Sequence, residues 1–444
     1  MKNDTAAIIL AAGKGTRMKS TMPKVLHCIA NEPMITHVLR ACDEISSDNI
    51  IVVIGEGMDT LKNTVAPART IVQTSQNGTG DAAKSARDAL GDFDGSVFIL
   101  LGDVPLIKTE TLQALKDASL QTGLAVLGFE TNAPHGYGRL VVEDDKSVSA
   151  IVEEKDCTDE QRAINICNSG AFCVDGKKLF TWLDRIENNN AQGEYYLTDI
   201  VSIARQDGVQ CSAVITNETE VMGINARHQL AQAEGILQTQ LRAQAMSNGV
   251  TMIDPNTVYL SVDTNLGNDV IIEPHVYFGT HVSVESGTRI RAFSHLEKCS
   301  VGQHSEIGPF ARIRPQSKIG NHVSVGNFIE VNRSELKDGA KSKHISYLGD
   351  AVIGSKTNIG AGTIIANYDG FTKHTSHIGE GVFVGSNSTI ISPITIDDGA
   401  IIAAGSIITE NVDKDALAIA RAAQSNLDGW AIEYREKKQN EKNV

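Results

Sequence analysis

Residues 301–408 carry an aliphatic residue at every sixth position, apart from two breaks, and neither a helix nor an alternating strand explains this step. A step of six indicates a β-helix, in which each flat side of the coil supplies one inward aliphatic side chain before the chain turns a corner. Each coil can bury that side chain only against the coils above and below it. The positions that keep the step are Val301, Ile307, Ile313, Ile319, Val325, Val331, Ile353, Ile359, Ile365, Ile378, Val384, Ile390, Ile396, Ile402 and Ile408, after a weaker prelude at Val270, Val276 and Val282.

This ladder loses its phase twice, between Val331 and Ile353 and between Ile365 and Ile378. We expect a loop to leave the coil at each break. Glycine often follows the ladder residue directly, as at Gly326. It suits a corner because it tolerates backbone angles and close approaches that a Cβ atom forbids.

The first 225 residues alternate strand-like with helix-like segments. Strands are predicted over residues 6–10, 50–55, 70–73, 96–101 and 124–130, and helices over residues 34–45, 80–90 and 109–120. This alternation predicts an α/β domain with a Rossmann-like, mostly parallel sheet covered by helices, in which ligands bind at the carboxyl ends of strands.

A polar segment rich in Gln and Ala follows, with Leu230, Leu237 and Leu241 at helical spacing. We therefore predict a domain of residues 1–225, a linker helix of residues 226–249 and a β-helix domain of residues 250–444. A short helix is expected near residues 416–423, and the charged end from residue 436 onward is expected to fray.

Composition narrows the function classes. The net charge of -14 and pI near 5.3 argue against a nucleic-acid binder, which needs a clustered basic surface. No apolar run is long enough to span a membrane and the start does not resemble a signal peptide, so we expect a cytoplasmic protein without a membrane partner. The cysteines lack metal-site or disulfide spacing and are expected to be small, mostly buried hydrophobes: Cys28, Cys42, Cys157, Cys167, Cys173, Cys211 and Cys299.

The first predicted strand runs into LAAGKGTRM, with Pro23 and Lys24 downstream. Gly13 and Gly15 leave backbone N–H groups free to line a phosphate, and Arg17 and Lys24 add positive charge. The spacing is that of neither a dinucleotide-binding fingerprint nor a P-loop. A tight turn with incidental bases would explain the glycines alone, but not the whole string.

The string resembles the nucleotidyltransferases that join a sugar 1-phosphate to a nucleoside triphosphate and release pyrophosphate. The resemblance implies that Arg17 and Lys24 contact phosphates and take part in catalysis. It assigns the nucleotide base and ribose to Leu10, Ala11, Ala12 and Gly13. The segment VQTSQNGTGDA is similar to the uracil-reading segment of that family and contributes Gln73, Gly78 and Thr79.

The strand at residues 96–101 runs into Gly102-Asp103-Val104-Pro105. An Asp at the end of a strand often only caps a turn, but it also suits Mg²⁺, which prefers one or two protein oxygens plus phosphates and water. The resemblance implies that Asp103 and Asn225 hold this metal. It gives the acetylated sugar, as part of the UTP and UDP-sugar site, to Gly138, Glu153 and Asn168. The family usually has Tyr where this chain has Leu101.

His344 differs from the other histidines in its setting, because it lies in the first break of the ladder. Most lone histidines are structural or simply exposed. An imidazole can, however, act as a general base for an amine that becomes an amide.

With the motif Arg312-Ile313-Arg314-Pro315 upstream and NIGAGT…NYDG downstream, residues 7–430 resemble the bacterial bifunctional N-acetyltransferase/uridylyltransferases. The resemblance implies a left-handed β-helix and a homotrimer. It implies that glucosamine 1-phosphate is acetylated with acetyl-CoA. UMP then passes from UTP to N-acetylglucosamine 1-phosphate, giving UDP-N-acetylglucosamine for peptidoglycan and lipopolysaccharide synthesis.

The same resemblance assigns roles within the repeat domain. His344 would deprotonate the sugar amine. The glucosamine phosphate would be bound by Arg314, Asn332, Tyr347 and Asn358. Acetyl-CoA would be bound by Ala361, Asn367, Tyr368, Ser386, Ala404 and Arg421.

One position departs from this pattern. The family has Lys twelve residues before the histidine, where this chain has Asn332 followed by Arg333. Neighbouring residues on a strand point to opposite faces, so Arg333 is not an automatic substitute for the missing Lys.

Two other interpretations stay open from the residues alone. The repeat domain could be an oligomerisation or regulatory scaffold for a single-function nucleotidyltransferase that makes an ADP- or GDP-sugar. The whole chain could instead be a non-catalytic assembly subunit. The first gives no reason for the polar cluster near His344, and the second predicts the loss of Lys24 or Asp103, which are both present.

Overall fold

The structure is a computed structural model that describes residues 4–45 and 49–442. The chain divides into two compact units, Met1–Leu241 and Arg242–Val444. The boundary falls within the long helix Arg227–Ser247, in the segment predicted as a linker. In the described part of the chain, no helix is long and apolar enough to cross a membrane.

A mixed sheet forms the middle of the first unit. Its strands are β1 (Thr5–Leu10), β2 (Asn49–Ile54), β3 (Arg69–Val72), β4 (Ser96–Leu101), β5 (Gly123–Glu130), β6 (Arg139–Val142), β7 (Val148–Val152), β8 (Ile166–Asp175) and β9 (Gln210–Thr216). Their order is β9-β5-β8-β4-β1-β2-β3, and β6 pairs with both β8 and β7. The pair Cys28–Ile29 and Glu32–Pro33 forms a separate small hairpin.

The five predicted strands are confirmed, as is the mostly parallel direction of the sheet. Strand β8 runs antiparallel to both β4 and β5, and β6 pairs antiparallel with β7 and β8. Sequence periodicity missed β8 because Asn168, Ser169 and Gly170 interrupt its apolar pattern. The register against β5 shifts between Asn168 and Phe172, which accommodates this polar stretch within the strand.

Helices cover both faces of the sheet. The alternation of side chains along β1 explains this, since Ile8 packs into one apolar cluster and Ile9 into the other. The predicted helix over residues 80–90 is divided into two. The helices are Met34–Glu44, Asp59–Thr64, Thr79–Lys84, Arg87–Leu90, Thr109–Thr122, Asp159–Arg162, Gly176–Leu183 and Ile200–Gln206, with 3-10 turns at Thr16–Met18, Lys24–Leu26, Glu154–Asp156 and Leu197–Asp199.

The second unit is a parallel β-helix with three faces, after a 3-10 turn at Pro255–Thr257. The first face contains Thr251–Met252, Ile271–Ile272, Arg289–Ile290, Glu306–Ile307, Asn358–Ile359, Phe383–Val384, Ile401–Ile402 and Leu417–Ala418. The second contains Tyr277–Phe278, His295–Leu296, Arg312–Ile313, Ile364–Ala366, Thr389–Ile391 and Ile407–Ile408. The third contains Asn265–Leu266, Val282–Val284, Cys299–Val301, Ser317–Ile319, Glu335–Leu336, Ala351–Ile353, Ser376–Ile378 and Thr395–Ile396. The long strands Ser324–Asn332 and Lys341–Gly349 pass from the first face to the second.

The inward register predicted from the six-residue step is confirmed, since every ladder residue is buried. The loop predicted at the first break is wrong. Leu336, Ser342 and Leu348 take the inward positions there, and two sides of the coil are shortened by one residue. The loop predicted at the second break is confirmed: the chain leaves the coil after Ile364–Ala366, and Phe371 at its tip is 91% exposed.

The glycines that follow ladder residues mainly allow neighbouring coils to pack closely, and backbone flexibility matters less at these positions. A Cβ atom on Gly326 would lie 2.0 Å from the carbonyl oxygen of Lys343, in the next coil. Left-handed backbone at the corners is instead carried by larger residues such as Phe310 and Phe328, with φ of 55° and 56°.

The end of the chain differs from the prediction. The helix expected over residues 416–423 is wrong, because Leu417–Ala418 forms a strand that extends the first face. The charged end forms the helix Trp430–Lys442, where a fraying tail was expected. Stacking of Trp430 on Tyr434, one helical turn apart, supports it. Residues 443–444 of the tail lie outside the described part.

The burial predicted for the cysteines is confirmed for six of the seven. Cys28 is exposed. Burial raises the pKa of the Cys42 thiol to about 12, so this thiol is not reactive near neutral pH.

Candidate active sites

The loop after β1 is built around two glycines with different tasks. A Cβ atom on Gly13 would meet nothing within 4 Å, so its open side is free for a ligand. Gly15 has φ of 58°, and a Cβ atom there would lie 2.6 Å from the Cβ of Lys24. Gly15 therefore allows the stem of Lys24 to approach the loop.

A pocket of about 340 Å³ opens at the carboxyl ends of β1 and β4. It collects most of the residues that the nucleotidyltransferase resemblance assigned: Leu10, Ala11, Ala12, Gly13, Lys24, Gln73, Gly78, Thr79 and Asp103. Leu101, which the sequence analysis singled out, also lines the pocket. The lining residues that the sequence did not predict are Val25, Gln76, Ala82 and Glu194. Nothing in the sequence marked these residues as functional, because residues of the same types occur throughout the domain.

Lys24 joins the two predicted metal ligands. Its ammonium group donates a hydrogen bond to Asp103 and a 2.8 Å hydrogen bond to the side-chain oxygen of Asn225. The side chains of Lys24 and Asp103 are only 13% and 14% exposed, so the charges face each other with little water between them. The motif search named all three residues but did not indicate that Lys24 bridges the other two.

The same arrangement tests the site for Mg²⁺. A carboxylate oxygen and an amide oxygen converge on one cationic group, and oxygen donors of this kind suit Mg²⁺ when substrate phosphates supply further ligands. Within the described residues there is no cluster of three or more His, Cys, Asp or Glu that could hold a metal ion. The residues therefore fit a metal shared with a phosphate ligand.

The segment proposed to read the base is held by backbone hydrogen bonds to Tyr195. Tyr195 donates to the carbonyl oxygen of Asn77, and Gly80 donates to that of Tyr195, both at 2.8 Å. A Cβ atom on Gly78 would lie 2.6 Å from the Tyr195 carbonyl oxygen, and its φ is 113°. Glycine is thus required at position 78 by the fold itself, in addition to any ligand.

The residues proposed to hold the sugar form a separate group. The backbone N–H of Asn168 donates to the carbonyl of Gly138 at 2.8 Å, and a Cβ atom on Gly138 would lie 3.3 Å from Glu153. Burial raises the pKa of Glu153 despite a hydrogen bond from Thr198. These residues are not among those that line the pocket at the carboxyl ends of β1 and β4.

Arg17 lies apart from that pocket. It is exposed on the turn Thr16–Met18 and is not among the residues that line the pocket.

In the second unit, His344 is exposed on the strand Lys341–Gly349 and not on a loop, which corrects the setting expected from sequence. It lies where this strand turns from the first face to the second. A hydrogen bond of 3.1 Å joins its Nδ1 atom to Oδ1 of Asn327, in the preceding coil. Asn327 was not predicted, although its register opposite His344 follows from the coil length.

Most residues proposed for acetyl-CoA continue the corner that carries His344. Backbone hydrogen bonds link Gly362 to Ile345, Asn387 to Ala361 and Gly405 to Ser386, so successive coils stack corner upon corner. The column contains His344, Ala361, Ser386 and Ala404, and Arg421 donates to the Ala404 carbonyl oxygen at 2.9 Å. The structure therefore aligns residues whose sequence spacing is irregular.

Two of the residues proposed for the glucosamine phosphate lie in one polar network. Asn332 is 3% exposed and donates to the Tyr347 hydroxyl at 3.3 Å. Arg333 donates to Asn332 at 3.2 Å and to both carboxylate oxygens of Asp350 at 2.6 and 2.7 Å. Asn367, proposed for acetyl-CoA, also donates to Asp350.

The other two phosphate candidates are placed differently. Arg314 lies one coil before Asn332 and pairs with Glu330 at 2.7 Å. Asn358 lies on the first face, in register with Lys341 and Phe383. Tyr368 is exposed at the start of the excursion loop. The chain thus distributes the predicted groups over two faces of the coil.

An aromatic stack that the sequence did not predict runs along the same corner, in the coils that precede His344. His275, Phe293, Phe310 and Phe328 stack face to face, with ring centroids 4.8, 4.9 and 5.1 Å apart. The three Phe rings are 45–58% exposed, and Ile345 continues the column beside His344. The stack therefore forms a continuous strip of exposed apolar surface along this corner.

Comparison with known families agrees with the two units. The MobA-like NTP transferase domain matches residues 7–162, and the bacterial transferase hexapeptide family, with six repeats, matches residues 375–410. The second unit is accordingly a left-handed β-helix of hexapeptide repeats. A putative glucose-1-phosphate thymidylyltransferase from Bacillus anthracis, solved with a sucrose, covers 52% of this chain and 94% of its own at 19% identity; its TM-score of 0.43 is too low to bear on function.

Curated relatives align along almost their whole length. The bifunctional protein GlmU of Paramagnetospirillum magneticum is 46% identical over 433 residues, which cover 97% of this chain and 96% of that protein. That of Bradyrhizobium sp. is 47% identical and covers 97% of both chains. That of Zymomonas mobilis is 44% identical and covers 98% of both. The chain therefore belongs to the family of bifunctional GlmU proteins.

Proposed function

We propose that the two sites described above carry out the two reactions of this family on one chain. The protein is a glucosamine-1-phosphate N-acetyltransferase and an N-acetylglucosamine-1-phosphate uridylyltransferase. The observation that supports the division of labour is that each unit assembles its own set of polar groups: Lys24, Asp103 and Asn225 in the first, and the His344 corner in the second.

For uridylyl transfer, a phosphate oxygen of N-acetylglucosamine 1-phosphate attacks the α-phosphorus of UTP, and pyrophosphate leaves. Such a reaction needs alignment and charge neutralisation more than a protein nucleophile. Lys24 supplies a positive charge in the pocket, and Arg17, on the exposed turn Thr16–Met18, would supply a second one to the phosphates. Gly138, Glu153 and Asn168 would orient the sugar so that its phosphate faces the nucleotide.

Mg²⁺ would be held by Asp103 and Asn225 together with phosphate oxygens. When bound, it supplies neutralisation of the charge that develops on the α-phosphate and on the leaving pyrophosphate. Lys24 contacts both of these residues and would add its own positive charge beside the phosphates.

For acetyl transfer, the amine of glucosamine 1-phosphate attacks the thioester carbonyl carbon of acetyl-CoA, and the thiolate of coenzyme A leaves. His344 would accept a proton from the amine, and Asn327 would fix the orientation of its ring. Ala361, Ser386 and Ala404 would line the coenzyme along the corner, and Arg421 would pair with its phosphates.

We further propose that the acetyltransferase site is completed by neighbouring copies in a homotrimer. The corner that carries His344 is convex, and Asn358 and Asn332 lie on opposite sides of it. These groups can converge on one ligand only if another copy contributes part of the set. The exposed aromatic stack on the same edge supplies apolar area for such an interface.

Two assays on the full chain test the proposal. The release of thiol from acetyl-CoA should require glucosamine 1-phosphate, and the release of pyrophosphate from UTP should require N-acetylglucosamine 1-phosphate and Mg²⁺. Light scattering on the same sample should give a mass three times that of the chain. Pyrophosphate release without thiol release would favour a repeat domain that is only a scaffold.

A further inference from the structure

Asp81 and the carbonyl of Gly78 accept hydrogen bonds from the side-chain amide of Gln73. The Nε2 atom of Gln73 donates a 2.7 Å hydrogen bond to Asp81 and a 3.2 Å hydrogen bond to the carbonyl oxygen of Gly78. An amide nitrogen has two protons, so both are used. In the part of the chain that the structure describes, no group donates to the Oε1 atom of Gln73.

Asp81 is itself fixed in place. The hydroxyl of Ser75 donates to its two carboxylate oxygens at 3.0 and 2.9 Å, and the backbone N–H of Asn77 donates at 3.1 Å. Gln73 is 4% exposed and lines the nucleotide pocket. A buried amide with both protons committed cannot turn over without losing two hydrogen bonds.

We propose that Asp81 is a positioning residue that makes the pocket selective for uracil over cytosine, through the amide of Gln73. A carbonyl oxygen accepts from the N3–H of uracil, whereas the N3 atom of cytosine is itself an acceptor and would face it unpaired. This inference rests on the proposed function, in which Gln73 reads the base.

A capping role alone does not explain the contacts of Asp81. The residue lies in the first turn of the helix Thr79–Lys84, where an acidic side chain is common. Capping accounts for the bond from the Asn77 backbone. It does not account for the hydrogen bond from Gln73. That residue directly follows β3, outside the helix, and its side chain lines the pocket.

The test compares Asp81→Ala and Asp81→Asn with the wild-type full chain, using UTP and CTP in the uridylyl transfer assay. For Asp81→Ala we expect kcat/KM with UTP to fall about five- to tenfold, the worth of one hydrogen bond, mostly through KM. With CTP the change should stay within about twofold, so the UTP/CTP ratio falls. Asp81→Asn keeps one acceptor oxygen for Gln73 and should retain the ratio within about threefold.

Asp88→Ala provides a matched control, because Asp88 is an exposed carboxylate on the next helix, Arg87–Leu90. It should leave both nucleotides unaffected. Acetyl transfer, measured on each variant, reports that the protein is folded.

The outcomes separate this inference from the proposed function. Equal loss with UTP and CTP, or no loss with UTP, in folded Asp81→Ala protein would overturn the role of Asp81. If Gln73→Ala leaves the UTP/CTP ratio unchanged, Gln73 does not read the base and this inference is overturned while uridylyl transfer stands. Absence of uridylyl transfer in the wild type would instead overturn the proposed function.

Discussion

The side-chain oxygen of Asn225 accepts a 2.8 Å hydrogen bond from the ammonium group of Lys24, 201 residues earlier in the chain. Asp103, at the end of β4, accepts from the same group. Gly15 makes the arrangement possible, since any side chain there would collide with the stem of Lys24. The pair therefore joins the first loop of the domain to the segment that leads into the long helix, at the place where we propose that Mg²⁺ and the phosphates bind.

Asp103→Ala should abolish uridylyl transfer and leave acetyl transfer within a few-fold of the wild type, because Asp103 serves only the first unit. It should also weaken Mn²⁺ binding, measured by titration in the presence of UTP. The exposed Asp88→Ala variant should behave as the wild type in all three measurements. Equal loss of both activities in folded, trimeric protein would contradict independent sites.

His344→Ala should have the reverse effect and reduce acetyl transfer about 10²- to 10⁴-fold, the usual cost of removing a positioned general base. His377→Ala, at an exposed position on the third face, is the matched control. Wild-type turnover in His344→Ala would show that the residue is structural.

Ile319→Asp should prevent correct folding of the repeat domain. Ile319 is 3% exposed, and a carboxylate there would be buried without a partner. We expect insoluble or non-trimeric protein with acetyl transfer lost first. The neighbouring Lys318→Asp, on the outer surface of the same strand, should remain soluble and active. Normal melting of Ile319→Asp would contradict the inward register.

Asn332→Lys should lower the KM for glucosamine 1-phosphate about five- to tenfold and leave the KM for acetyl-CoA unchanged. A hydrogen bond from a charged donor is worth about 1 kcal/mol more than one from a neutral amide. Arg333 does not supply this charge freely, because Asp350 pairs with it at both oxygens. Burial by itself would raise the pKa of Asp350. The hydrogen bonds from Arg333 and Asn367 outweigh this effect and hold the pKa of Asp350 below its usual range.

The competing expectation is that Arg333 already replaces the missing Lys. In that case Asn332→Lys would have no effect on the KM for glucosamine 1-phosphate, and Arg333→Ala would raise it sharply. Steady-state kinetics on both variants, with melting temperatures to detect loss of the Asp350 pair, decide between the two.

Glu153→Gln should stabilise the protein more at pH 8 than at pH 5. Burial raises the pKa of Glu153 in the folded state, so the folded chain binds this proton more tightly than the unfolded chain does. The protein therefore loses stability as the pH rises from the pKa of Glu153 in the unfolded chain through its higher pKa in the folded chain, because Glu153 then ionises in a buried position. Differential scanning calorimetry at both pH values measures the gain, with the exposed Glu143→Gln as control. An equal gain at both values would contradict the assignment.

The inward faces of the repeat domain were determined by the sequence alone. A side chain every six residues has one inward direction in a three-sided coil, so Ile319 and Ile390 could be assigned without coordinates. The position of Asp103 at a strand end follows from local pattern in the same way. Local periodicity fails where polar residues enter a strand, as at Asn168 in β8, and where a coil side shortens, as before Leu336.

Only the tertiary structure decided which of these residues meet. Lys24 and Asn225 are brought together by the packing of the whole first unit, and no spacing between them predicts it. The hydrogen bond from Gln73 to Asp81 depends on how a loop folds back onto a helix. Asn358 is separated from Asn332 because the corner at His344 turns the chain between two faces. Sequence pattern reports the direction of each side chain relative to its own strand, whereas contact between distant residues depends on the path of the entire chain.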